Sequence, residues 1–271
     1  MKIPEPVIPD DIPPDKFPDL LRNWHLGSRA RRYLSRRRFH AVTDLLRDSP
    51  RGRALDAGCG WGYHLFLLAR AGFAPFGIDL VQNDFYAARA IARANAYDPG
   101  LAGADLSALP FASNTFAAIT AVETLEHIFE PDRMNALREA RRVLAPAGTI
   151  ALSTPNHVSI VESGKRFIVK FPVLKRLFPT MCYPAGSIER QQYHPYRYHQ
   201  PVPGPKLKAM LEEAGFSMVS MRTIIFIWKN VPDPLFPLAR FFESILERIP
   251  LVRSFGSTLI IRAKKTSQRR E

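Results

Sequence analysis

Residues 55–62 read Leu-Asp-Ala-Gly-Cys-Gly-Trp-Gly. A glycine-rich turn lets backbone approach a ligand closely, and the start of a following helix offers free N–H groups. The order here is G-x-G-x-G, at Gly58, Gly60 and Gly62. The G-x-G-x-x-G order carries a pyrophosphate past a helix N-terminus, and Asp56 in front of the turn would repel one. A carboxylate there suits a cationic ligand end, directly or by ordering the loop. Cys59 fills the turn as a small residue. Two further acids follow. Asp79 closes GIDL, where an acid can accept both hydroxyls of a ribose. Asp105, in GADL, can accept from the exocyclic amine of an adenine, with Leu106 packed beside the ring. Farther on, VETLEHIFEP collects Val122, Glu123, Glu126 and His127. Glu123 and His127 are the proton acceptors best placed to act as a general base on a protonated nucleophile.

These residues need a scaffold that brings strand ends together. RALDAG, PFGIDL, residues 101–106, TFAAITAVETL and GTIALST read as strands. Helices fall around YHLFLLARAG, over residues 83–96 and over 132–144. Strand and helix alternating at this spacing predict an α/β fold with a parallel sheet covered on both faces. Residues 158–205 break the rhythm and read as an insertion over the carboxyl edge of the sheet. The rhythm resumes with the helix PKLKAMLEEAGF, with Pro205 near its start and Gly215 as its stop. Two strands follow, in FSMVSMRTIIFIW and STLIIRAKK, flanking the amphipathic helix LFPLARFFESILERIPLVRSF. The chain thus divides into an arm and basic helical cap (1–48), a ligand-binding core (49–157), the insertion or lid (158–205), the rest of the core (206–265) and a frayed tail (266–271).

The glycine turn with Asp56, the acids at Asp79 and Asp105, LPFASNTFAAITAVETLEH and RVLAPAGTIALSTPN together resemble the class I S-adenosylmethionine-dependent methyltransferases. The similarity is greatest to their small-molecule, type 11-like subgroup. It covers roughly residues 50–156 and, more loosely, 205–265. The resemblance implies a Rossmann-like, doubly wound sheet of seven mostly parallel strands with an antiparallel C-terminal hairpin. It implies S-adenosylmethionine as cofactor and S-adenosylhomocysteine as product. The cofactor would be held by Asp56, Gly58, Cys59, Gly60, Gly62, Asp79, Leu80, Asp105, Leu106 and Val122. Glu123 and His127 would stand beside the transferred methyl. The N-P-P-Y or D-P-P-Y signature of enzymes that methylate nucleic-acid amines is missing, since the end of the fourth strand reads Ala121-Val122-Glu123-Thr124.

Composition narrows the partners. The chain has 271 residues, 46% of them apolar, so it can build a core, which excludes a wholly disordered polymer. Two cysteines, Cys59 and Cys182, exclude a disulfide-stapled domain. Residues 1–19 lack an apolar h-region, and no stretch reaches the length of a spanning helix, so a cytoplasmic protein is expected. The balance of 38 Lys+Arg against 25 Asp+Glu gives +13. Eight of those arginines lie in residues 20–48. Apolar residues of the insertion and of the helix near 235–249, flanked by Arg and Lys, fit an amphiphilic acceptor and peripheral contact with an anionic membrane. The alternative is RNA, tracked by the basic helix, with the aromatics of YHPYRYH stacking on bases. A non-catalytic partner protein on the same fold is a third reading. His194 and His199 are five apart, which fits neither a helical nor a same-face strand pair, so no metal site is assigned.

Overall fold

The structure, a computed structural model, describes residues 5–18, 21–22, 27–177 and 198–266. Cys182, Glu189, Tyr193, His194 and Tyr196 lie outside the described residues.

The seven strands are β1 (Arg53–Ala57), β2 (Ala74–Asp79), β3 (Gly100–Gly103), β4 (Phe116–Val122), β5 (Leu144–Pro155), β6 (Phe216–Ile224) and β7 (Thr258–Lys265). They form one sheet in the order β3-β2-β1-β4-β5-β7-β6. β1 to β5 run parallel, and β7 is antiparallel to both β5 and β6. The fold is therefore the Rossmann-like doubly wound sheet with an antiparallel C-terminal hairpin. The burial of each strand follows its place. Central β4, FAAITAV, is buried at every position but Ala117, as a strand covered on both faces must be. Edge strand β6 is buried only at Phe216 and Ile224 and alternates exposed and half-buried positions from Ser217 to Met221, so one face meets solvent. β5 begins four residues earlier than GTIALST predicts, at Leu144, with Ala147 in the left-handed region.

Helices α1 (Arg29–Asp44), α2 (Tyr63–Arg70), α3 (Phe85–Ala94), α4 (Arg133–Val143), α5 (Ile160–Lys170), α6 (Pro172–Leu177), α7 (Gly204–Glu213) and α8 (Phe236–Leu246) surround the sheet. The Ser28 hydroxyl caps α1 by accepting from the Arg31 amide at 3.4 Å. One side of the sheet is filled by Ile119, Leu137, Val143, Leu152, Leu207 and Leu211. The other is filled by Val42, Leu46, Leu68 and Ile260. The arm docks through Asn95, which accepts from the Val7 amide at 2.9 Å and donates to its carbonyl at 2.8 Å. Ile12 and Leu21 pack with Trp61, Tyr63 and Phe66.

Much of the arginine charge of α1 is engaged inside the molecule. Arg36 pairs with Glu5 at 3.0 Å and Arg37 with Glu247 at 2.8 Å. Arg38 lies 3.5 Å from Glu123 and donates to Thr258 at 3.0 Å. α8 is built inside out. Its one buried residue is Glu243, while Leu238, Phe241, Phe242 and Ile245 are exposed. Glu243 accepts from the Phe226 amide at 2.8 Å, from the Ile227 amide at 3.4 Å and from the Tyr33 hydroxyl at 2.5 Å, and it pairs with Arg240. Burial, followed by that bond to Glu243, pushes the Tyr33 phenol above its ordinary range. Glu243→Ala leaves these donors unmatched, so equilibrium urea unfolding should show a loss of about 3 kcal/mol.

Candidate active site

The crossover from β1 to β4 leaves a crevice at the carboxyl ends of the strands, where ligands bind in open α/β sheets. A cavity of about 470 Å³ lies there, within the usual size of small-molecule sites. Its floor is the turn Gly58–Cys59–Gly60. Asp79 and Leu80, after β2, and Asp105 and Leu106, after β3, form one side. Val122, Glu123, Thr124 and His127, after β4, form the other. Ser35, Arg38 and Phe39 of α1, with Trp61 and Tyr63, also line it. The cradle suits a ligand that lies against main chain.

The turn is held from below. The amides of Gly58 and Cys59 both donate to the Ile78 carbonyl, at 2.8 and 3.0 Å. Gly58 has φ of 77°, and a Cβ there would sit 2.5 Å from Thr124 Oγ1, so only glycine fits. Thr124 in turn donates to the Ala57 carbonyl at 2.9 Å. Gly62, with φ of 86°, faces away from the cavity onto Ala88, where an added Cβ would meet the Ala88 side chain at 3.0 Å. Its glycine lets α2 and α3 close up.

Asp56 also lies outside the cavity lining. It is 2% exposed, and its Oδ1 is 3.0 Å from His64 Nδ1 and accepts from Thr120 Oγ1 at 2.8 Å. His64 Nε2 then lies 3.0 Å from Thr43 Oγ1 on α1. Asp56 therefore ties β1, β4, α1 and α2 together beneath the glycine turn. Any effect on a bound ligand passes through the ordering of that turn.

Asp79 reaches the cavity edge with both oxygens oriented. Oδ2 accepts from the Gly60 amide at 3.0 Å and Oδ1 from the Val81 amide at 2.9 Å. Burial nonetheless raises its carboxyl above the ordinary range. Asp105 Oδ1 accepts from the amide and hydroxyl of Ser107, at 2.8 and 2.9 Å, which fixes the loop after β3. Cys59 is buried, and burial pushes its thiol well up, so it is a neutral filler rather than a nucleophile.

The end of β4 carries the acid–base groups. Glu123 sits in the left-handed region, φ 53°, a conformation rare for a residue with a side chain. Its amide donates to the Ser153 carbonyl at 3.0 Å, and Ser153 Oγ donates to its Oε1 at 2.9 Å. His127 Nδ1 lies 2.6 Å from the Tyr198 carbonyl, a bond only an N–H can make, so Nε2 is the acceptor of the neutral ring. Glu126 is fully buried beside them, and burial, then the neighbouring Glu123 carboxylate, pushes its carboxyl well above the ordinary range. Tyr198 packs against Phe129 and Arg133 rather than lining the cavity. The structure brings ten predicted residues to one cavity, leaves Asp56 and Gly62 behind it, and adds Arg38, Phe39, Trp61, Tyr63 and Thr124. Trp61 and Tyr63 were adjacent to the glycines in sequence; no local spacing announces Arg38 or Phe39.

Residues 55–152 match a family model described as a methyltransferase domain. Methyltransferase GfsG of Streptomyces halstedii is 35% identical over 104 residues, 37% of each chain. The chloroplastic tocopherol O-methyltransferase of Arabidopsis thaliana is 30% identical over 181 residues, 64% of this chain and 50% of that enzyme. The chain thus spans half or less of the length of these two relatives. Among solved structures, an S-adenosylmethionine-dependent methyltransferase from Archaeoglobus fulgidus superposes with a TM-score of 0.56 at 18% identity, covering 91% of this chain and 98% of that one. The likeness in fold is therefore far wider than the likeness in sequence. Over residues 55–152 the chain is similar to methyltransferase domains, and its fold is shared with an S-adenosylmethionine-dependent methyltransferase.

The expectation that Asp79 holds a ribose is open to two measurements. Asp79→Ala should weaken S-adenosylmethionine binding roughly tenfold or more in calorimetry, since a charge-assisted pair of hydrogen bonds is lost. Because the Asp79 carboxyl is raised, parent affinity should fall on acidification at a pH above that of an ordinary aspartate, as the acceptor becomes protonated.

Proposed function

We propose that the protein transfers a methyl group from S-adenosylmethionine to a small or lipid-like acceptor. The observation that carries this reading is the single cavity that joins Gly58, Gly60, Asp79 and Asp105 to Glu123 and His127. The cofactor fits that cavity. Main chain is bare at Gly58 and Gly60, and carboxylates stand where ribose hydroxyls and an adenine amine would lie. Gly58, Cys59 and Gly60 would face its amino-acid end, Asp79 and Leu80 its ribose, Asp105 and Leu106 its adenine, and Val122 its sulfur side. Asp56 and Gly62 would support the turn. When bound, the cofactor supplies a methyl on a sulfonium, already a good leaving group.

The chain's own residues then have two tasks. They hold the acceptor in line with the methyl, since placement of reacting atoms is the larger part of such a reaction. They also take the proton from a hydroxyl acceptor. Glu123 and His127 reach the cavity with acceptor atoms, and either can do so. Arg38 lies 3.5 Å from the Glu123 carboxylate and pairs with it.

The exposed face of α8 supports an amphiphilic acceptor met at an anionic membrane surface. Phe241 is 59% exposed and Phe242 52%, with Arg240, Arg248 and Arg253 on or just after the helix. Among the described residues no helix is long and apolar enough to cross a membrane. Tocopherol, named for one relative, is an acceptor of this kind. RNA is the less favoured acceptor, because Arg36, Arg37 and Arg38 of the basic helix are held by internal partners.

Incubation with methyl-labelled cofactor distinguishes these acceptors. Label should enter a phenolic or quinol amphiphile in mixed anionic micelles, and Phe241→Ser/Phe242→Ser should lower that transfer without changing cofactor affinity. Label entering total RNA and no amphiphile overturns the acceptor assignment; a chain that binds no cofactor overturns the methyl-transfer reading.

A further inference from the structure

Glu126 is 0% exposed, yet only one of its oxygens is satisfied. Oε2 accepts from Thr154 Oγ1 at 3.0 Å, whereas Oε1 meets no hydrogen-bond partner among the described residues. A buried carboxylate with an orphaned oxygen is costly unless something positive completes it. Two imidazoles stand beside it, His127 and His199, and one potential ligand atom from each of the three residues lies within 4.8 Å of the others. The two rings stand edge to face with centroids 5.1 Å apart.

The surroundings hold this arrangement. His127 gives Nδ1–H to the Tyr198 carbonyl, so Nε2 is its lone-pair nitrogen, the orientation by which a ligating histidine is usually fixed. The Gln200 amide donates to the Glu126 carbonyl at 2.9 Å. Buried Arg133 donates to the Gln200 carbonyl at 2.9 Å and to the Ile128 carbonyl at 3.0 Å. These bonds clamp residues 198–200 onto residues 126–128, although the two segments are some 70 positions apart in the chain. The backbone path of residues 198–200 thereby brings His199 to Glu126, and its ring packs on His127.

We propose that Glu126, His127 and His199 form a site for a divalent first-row transition ion. A carboxylate with two imidazoles is a ligand set suited to zinc, manganese, cobalt or iron(II), and three protein ligands leave coordination positions for another molecule. His127 lines the cavity, so those open positions face the space where an acceptor oxygen would approach. An ion there lowers the pKa of a hydroxyl it touches. With Nε2 on the ion, His127 takes no proton, and the base role falls to Glu123. This last consequence rests on the methyl-transfer reading; the ion site itself does not.

The full chain, stripped with chelator and dialysed, should take up about one equivalent of Co²⁺ with the visible absorption of a mixed nitrogen–oxygen site. Zn²⁺ should displace the cobalt and raise the melting temperature. Glu126→Gln keeps the shape of the side chain, and His199→Ala changes a less buried one. Each should weaken Co²⁺ binding by roughly tenfold or more, while calorimetry with S-adenosylmethionine stays at the parent value. His40→Ala, on α1, should retain the ion. Uptake that is absent in the parent, or unchanged in His199→Ala or Glu126→Gln, overturns the ion site. Loss of cofactor binding in the stripped parent, with cobalt uptake intact, would instead count against the methyltransferase reading.

Discussion

The buried carboxylate of Asp56 is the interaction on which the rest of the cavity depends. It sits in the last turn of β1 and bonds to Thr120 on β4 and to His64 on α2, which continues to Thr43 on α1. β1 and β4 are neighbours although they are separated by two strands in the chain, and that reversal opens the crevice. A charge inside the protein is tolerated only when its lone pairs are matched, so four elements must meet at one geometry. The glycine turn follows Asp56 by two residues in the chain, and its own amides are held by the Ile78 carbonyl.

From that fixed floor the two halves of the cavity have different characters. The β2 and β3 side is built from acids held by backbone amides, a rigid arrangement suited to recognising a polar ligand. The β4 side combines a left-handed Glu123 with residues whose partners come from far along the chain: Arg38 on α1, Ser153 on β5 and Tyr198 before α7. The first side is thus held locally and the second is composite.

What was legible in the sequence follows the same division. Strands such as FAAITAV announce themselves by continuous apolar runs, and the acids after β2 and β3 by their distance from the glycines. Both signals are local, so seven strands and ten cavity residues could be read. Asp56 was read as near the ligand because a motif records proximity in sequence, not the side of the sheet on which a side chain falls. The meeting of His199 with Glu126 depends on Arg133 and on the path of residues 198–200, and the i, i+5 spacing from His194 held no trace of it. For α8 the apolar surface was legible, and its Phe and Leu are exposed, but no local pattern marks Glu243 as the residue needed inside by the Phe226 and Ile227 amides.

The orientation of α8 has a thermodynamic consequence. A helix that places its carboxylate inward and its phenylalanines outward leaves apolar area in water that folding alone does not remove. Whatever binds this face binds the native chain and not the unfolded one, so its free energy adds to the stability of the fold by mass action. The same Glu243 bonds that hold α8 also grip Tyr33 on α1, which roofs the cavity. The outer face and the roof therefore share one set of bonds, centred on Glu243.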